Sequence, residues 1–147
     1  MRTKRLGRFR TQFGVFALIL TAGAANAAPF DITDGWFRAL PGKLPAAGYF
    51  TAYNTTGHEI DIVSVDCQAC GMLMLHQSTN KGGMSSMTML DKVAVPAGGR
   101  VVFAAGGYHL MCENPKMQIG SRVSVLFHLS DGNAVAVAFT VKGATGK

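Results

Sequence analysis

The chain has 147 residues and a formal net charge of +6, a length suited to one domain with a single core. The excess charge is concentrated in the first ten residues. Arg2, Lys4, Arg5, Arg8 and Arg10 are five of the 14 Lys and Arg, and the other nine stand against eight Asp and Glu, a balance of about +1. A near-neutral body with no basic patch interleaved with aromatics excludes a nucleic-acid-binding reading.

In chain order, the basic start is followed by an apolar run, Phe13 to Leu20, and by Ala25-Asn26-Ala27. This is the pattern of a secretory signal, 1–27, cleaved after Ala27. The apolar run falls short of the ~20 residues a membrane span needs, and no later stretch reaches that length. The expected product is a single exported domain, 28–147, located in the periplasm and not membrane-spanning. Lys4-Arg5 is a poor twin-arginine signal, so the chain is expected to cross unfolded and to take up any metal afterwards.

Trp36 and Phe37 are expected to cap one end of the core. Tyr49 to Tyr53 and Ile60 to Val65 read as strands separated by the turn Asn54-Thr55-Thr56-Gly57. Met72 to His76 reads as a third strand, followed by a flexible turn at Asn80-Lys81-Gly82-Gly83. Met87 to Val95 reads as a fourth, stopped by Pro96 and Gly98-Gly99. Val101 to Ala104 and Tyr108 to Cys112 flank Gly106-Gly107. Two strongly alternating strands close the chain, Val123 to Leu129 and Val135 to Val141, joined at Asp131-Gly132-Asn133. No segment keeps a helical period. Many short strands with turn signals at this spacing predict an all-β Greek-key sandwich or barrel.

Strand parity singles out one face. Residues two apart point the same way, so Met72, Met74 and His76 share a face, as do His109 and Met111, while Leu73, Leu75, Leu110 and Cys112 point opposite. Met87 follows the Gly82-Gly83 turn, where a loop could fold it over His76. Each of these residues alone is ordinary packing or an ordinary strand histidine. Together, His76, Met87, His109 and Met111 are four neutral donors, two of them thioethers. That set favours Cu(I), or Ag(I), over Mg, Ca or Mn, and argues against Zn. Met74 and Met89 are candidates for a nearby soft relay. His58 in a polar turn and His128, expected to face outward, are not favoured as ligands.

The pattern is His, ten residues, Met, twenty-one residues, then His-x-Met. It resembles the metal-binding motif of the PCu(A)C family of periplasmic copper chaperones. Pro96-Ala97-Gly98-Gly99 and Gly106-Gly107-Tyr108-His109-Leu110-Met111 resemble the same family, as do Asn54 and the Asp131-Gly132 hairpin. The resemblance implies a cupredoxin-like fold with His76, Met87, His109 and Met111 as Cu(I) ligands. It also implies delivery of copper to the CuA-domain subunit of cytochrome c oxidase. Some members carry a His/Met-rich C-terminal extension; with Lys142-Gly143-Ala144-Thr145-Gly146-Lys147 as the last residues here, a second copper site of that kind is not expected.

Three cysteines, Cys67, Cys70 and Cys112, leave at least one unpaired within the chain. Export favours a disulfide; Cys70–Cys112 and Cys67–Cys70 are both open, as is a reduced thiol assisting copper transfer. The expected function is a monomeric periplasmic Cu(I) metallochaperone rather than an enzyme. The alternatives are a copper buffer or tolerance protein without a dedicated acceptor, a β-sandwich interaction module using its Met patch, or a thiol-disulfide oxidoreductase using the CxxC.

Overall fold

The computed structural model describes residues 28–147; the expected signal segment and its cleavage point lie outside the described residues. Ten strands follow in order: β1 Phe30–Arg38, β2 Ala46–Asn54, β3 Ile60–Asp66, β4 Met72–Lys81, β5 Met84–Leu90, β6 Val93–Val95, β7 Arg100–Phe103, β8 Tyr108–Glu113, β9 Arg122–Leu129 and β10 Ala134–Lys142. No helix occurs among the described residues. The strands form one continuous path, β5-β4-β8-β2-β1-β10-β9-β3-β6, with β7 also paired to β2. Every pairing described is antiparallel except β1 with β10.

The path folds back on itself, as the aromatic core shows. Phe50 on β2 and Phe127 on β9 are three strands apart along the sheet, yet their ring centroids lie 4.9 Å apart. Phe50 also stacks on Phe103 at 4.0 Å, and Phe139 bridges to Phe37 at 5.4 Å and Phe127 at 5.9 Å. Alternating strands give one apolar face each, and two such faces bury each other in a sandwich. Val125, Phe127, Phe139, Leu110 and Cys112 are all inaccessible to solvent.

The strand reading fails at three places. β1 lacks clean alternation because it is broken: its register to β2 shifts between Thr33 and Trp36, where Asp34 takes a φ of 56°. Across this bulge the ring of Phe139 lies over Gly35, so close that any Cβ there would sit 2.4 Å from it. Phe37 is fully buried in the core and Trp36 lies outside it, tilted against Tyr49 with ring centroids 4.9 Å apart, so neither caps an end. The single strand expected over Met87–Val95 is two. Its parts end at opposite edges of the path, β5 against β4 and β6 against β3. The turn after β4 is tighter than expected. Gly82 and Gly83, at φ 59° and 80°, make a two-residue hairpin turn, and β4 runs on to Lys81. Positive φ at both central residues is the geometry that glycine permits without strain.

Asn54, at the end of β2, is buried but has partners for its side chain. Its amide donates to the carbonyls of His58 at 2.8 Å and Val95 at 3.0 Å. Its carbonyl oxygen accepts from the Thr56 backbone at 3.0 Å and the Thr56 hydroxyl at 2.6 Å. One side chain thus ties the β2–β3 turn to β6.

Candidate metal centre

β4 and β8 lie side by side and place His76 directly opposite His109 and Met74 directly opposite Met111. Directly paired residues of an antiparallel ladder project from the same face. The face-sharing expected from parity therefore holds across both strands. The opposite side of the same strands is core: Leu75, Leu110 and Cys112 are buried.

The two imidazoles meet edge to face, with ring centroids 5.7 Å apart. His109 is 4% exposed, and its Nδ1 lies 3.1 Å from the Gly107 carbonyl oxygen. A carbonyl can only accept, so Nδ1–H donates and the lone pair is left on Nε2. This is the arrangement in which a histidine is oriented to ligate a metal. His76 Nδ1 is buried without a hydrogen-bond partner. Burial, and then the neighbouring His109, hold the His76 imidazole below its ordinary pKa, with Glu113 acting weakly the other way. Both influences keep the ring neutral, the form that binds metal.

Met87 and Met111 complete the set differently from each other. Met111 stands two residues from His109 and is half-buried. Met87 is not carried on a loop that folds over His76; it lies within β5, opposite Ser78 and 54% exposed. Ser78 and His76 share a face, so Met87 shares it too, diagonal to His76. Met87, His109 and Met111 line one cavity of about 220 Å³, together with Arg38 and Tyr49. His76 is not part of that lining and closes the group from the β4 side through its contact with His109.

The residue directly opposite His76 on β5 is Met89. The motif spacing gives Met89 no role; the hairpin register, set by Gly82 and Gly83, is what brings it there. Among the described residues, no three His, Cys, Asp or Glu side chains come together as a metal-binding group. The side-chain donors that join the two imidazoles on this face are thioethers, and such a donor set favours a soft ion.

The cysteines resolve as Cys70–Cys112, joining residues 42 apart in sequence. Cys67 is free and half-buried, and burial raises its thiol pKa. The CxxC therefore does not form a redox pair, and the oxidoreductase alternative is corrected. The bridge works from the core side of β8, pinning the strand that carries His109 and Met111 to the turn before β4. His128 pairs with Asp66 at 2.8 Å on the surface, away from the cluster.

This is a cupredoxin-like β domain with a histidine–methionine face on one side of its sandwich. A family described as "Putative lipoprotein LpqE-like" matches residues 30–141, and the chain belongs to that family, which is of the PCuAC type. It is 29% identical over 119 residues to "Putative lipoprotein Lxx21020" of Leifsonia xyli subsp. xyli, covering 79% of this chain and 71% of that protein. The solution structure of CuI-DR1885 from Deinococcus radiodurans is 28% identical, covering 82% of this chain and 83% of that one, with a TM-score of 0.62. The copper-bound PCuAC domain from PmoF2 superposes with a TM-score of 0.66 at 18% identity, over 79% of this chain and 94% of that domain. Two of these neighbours are thus described with copper bound, the PmoF2 domain and the Deinococcus protein.

Proposed function

We propose that this chain is a periplasmic Cu(I) metallochaperone that holds one ion between His76, Met87, His109 and Met111. The observation that carries the reading is the cross-strand pair His76–His109, flanked on the same face by Met87 and Met111. Its likeness to a Cu(I)-bearing relative at 28% identity supports the choice of ion.

Four neutral donors leave the ion's charge uncompensated, which penalises Cu(II) more than Cu(I), and thioethers favour the softer state. His109, held by Gly107, presents Nε2 from a buried position, and His76 stands neutral beside it. Without a thiolate, the site has no basis for the strong colour or electron shuttling of blue-copper centres. Thioether donors are displaced one at a time by an acceptor's thiolates, so release proceeds by ligand exchange. The acceptor is the CuA-bearing subunit of cytochrome c oxidase. The chain acts as a monomer, exported through residues 1–27.

X-ray absorption of the Cu(I)-loaded protein tests the ligand set: two nitrogen and two sulfur scatterers are expected. In His109→Ala, copper binding is expected to collapse while the circular dichroism spectrum stays that of a folded β protein. The Gly107 carbonyl also accepts from the Ser78 amide at 3.0 Å, so it is not orphaned by the substitution. A thiolate sulfur in the spectrum, or undiminished binding by His109→Ala, would sink the proposal. Mixing the loaded protein with a soluble CuA domain tests delivery. Copper that stays with this chain identifies a buffer instead.

A further inference from the structure

The soft face extends past the four proposed ligands. Met89 is directly opposite His76 on β5, and Met74 is directly opposite Met111 on β8. Met74 and Met89 are thus diagonal neighbours across β4 and β5, within reach of long side chains. They line a common groove of about 250 Å³, distinct from the cavity lined by Met87, His109 and Met111.

Packing does not explain Met89, which is 61% exposed. An adaptable core filler has to be in the core. The groove also contains Asp91, at the point where the chain leaves β5. The adjacent Lys92 is engaged elsewhere, its ammonium 2.6 Å from the Asp61 carboxylate. The charge along the face is graded. Arg38 lines the cavity of Met87, His109 and Met111, whereas Asp91 lies at the Met74–Met89 end. Glu113 is directly opposite Met72 on β8, two residues along β4 from Met74. A monovalent cation is drawn toward the acidic end of such a face.

We propose that Met74 and Met89, with the Asp91 carboxylate, form a second, outer position for a soft monovalent metal ion. It rests on the copper reading above and adds a stop between the inner ligands and an acceptor. The two thioethers select Cu(I) or Ag(I) over hard cations. The single carboxylate balances the ion's charge, which the inner set leaves unbalanced. His76 stands between the two positions, opposite Met89 on one flank and His109 on the other. An ion at the outer position is exposed to solvent and open to attack by an incoming thiolate, unlike one against the buried His109.

The test is a titration of the protein, 13C-labelled at its methionine methyls, with silver nitrate. The first equivalent is expected to shift the methyls of Met87 and Met111, and the second those of Met74 and Met89. M74I/M89I should lose the second ion and bind the first within twofold of the parent. Asp91→Asn should weaken only the second, severalfold. Should the double variant fail to fold, Met89→Ile alone, at an exposed position, carries the same expectation. Met74 and Met89 methyls unmoved through two equivalents, or a second ion retained by M74I/M89I, would overturn the outer position and leave the inner one intact. If Met87 and Met111 fail to move at the first equivalent, both are overturned.

Discussion

Two side chains show how a strand position becomes a tuned group. His76 is flanked by His109 and sits partly away from water, so its imidazole titrates below the ordinary 6.5. Between the two values the unfolded chain binds more protons than the folded one. The His76 contribution to stability is therefore intact above 6.5 and declines as pH falls through that range. An NMR titration of the apo protein is expected to place the His76 midpoint below 6.5. Proton competition for a bound ion at His76 should set in only under that pH. Asn54 is the second case. Replacing it by Ala takes the side-chain donor from the buried Val95 carbonyl and breaks the bonds to His58 and Thr56, which keep only their bond to each other. The expected cost is about 2–4 kcal/mol, read as a melting temperature lower by on the order of 10 °C.

At the scale of elements, β8 is fixed from both sides. Its outward residues carry donors, and its inward Cys112 is bonded to Cys70 across 42 residues. A loop of that length limits the unfolded chain by about 4 kcal/mol in the chain-entropy treatment. The variant C70A/C112A is expected to melt well below the parent and to bind copper less tightly, since β8 is no longer tied to the turn before β4. An unchanged denaturation midpoint would contradict this. Met87 is the other element-scale case. The Gly82-Gly83 turn sets the register that places Met87 beside Ser78 and Met89 beside His76. Met87→Ile keeps the apolar surface but removes a thioether. Cu(I) affinity should fall at least about tenfold, or ~1.4 kcal/mol, in competition with a chromophoric chelator.

For the whole molecule, the site is an outer face of a sandwich whose stability comes from the phenylalanine cluster on the other side. The proposed ligands lie on β4, β5 and β8, dispersed in the unfolded chain, so an ion bound there favours the folded state. At a free Cu(I) or Ag(I) concentration a hundredfold above Kd, the gain is about 2.7 kcal/mol. Calorimetry should show the melting temperature rising with loading, and His109→Ala should abolish the rise. A melting temperature indifferent to metal would mean that no site spans these strands.

The residues alone determined a good deal. Alternation at Val123–Leu129 and Val135–Val141 reads directly as strands because one face of each is core. Parity on β4 and β8 separates donors from leucines for the same reason. β1 was not legible, since its bulge at Asp34–Gly35 breaks the alternation on which such a reading depends. Nor was the division of β5 from β6, where two residues, Asp91 and Lys92, take the chain from one edge of the sheet path to the other. The choice of Cys112 as partner for Cys70, and the seating of Met89 against His76, belong to the tertiary structure. Pairing across strands depends on which distant segments become neighbours. Local pattern fixes which way a side chain points, and only the folded sheet fixes what it meets.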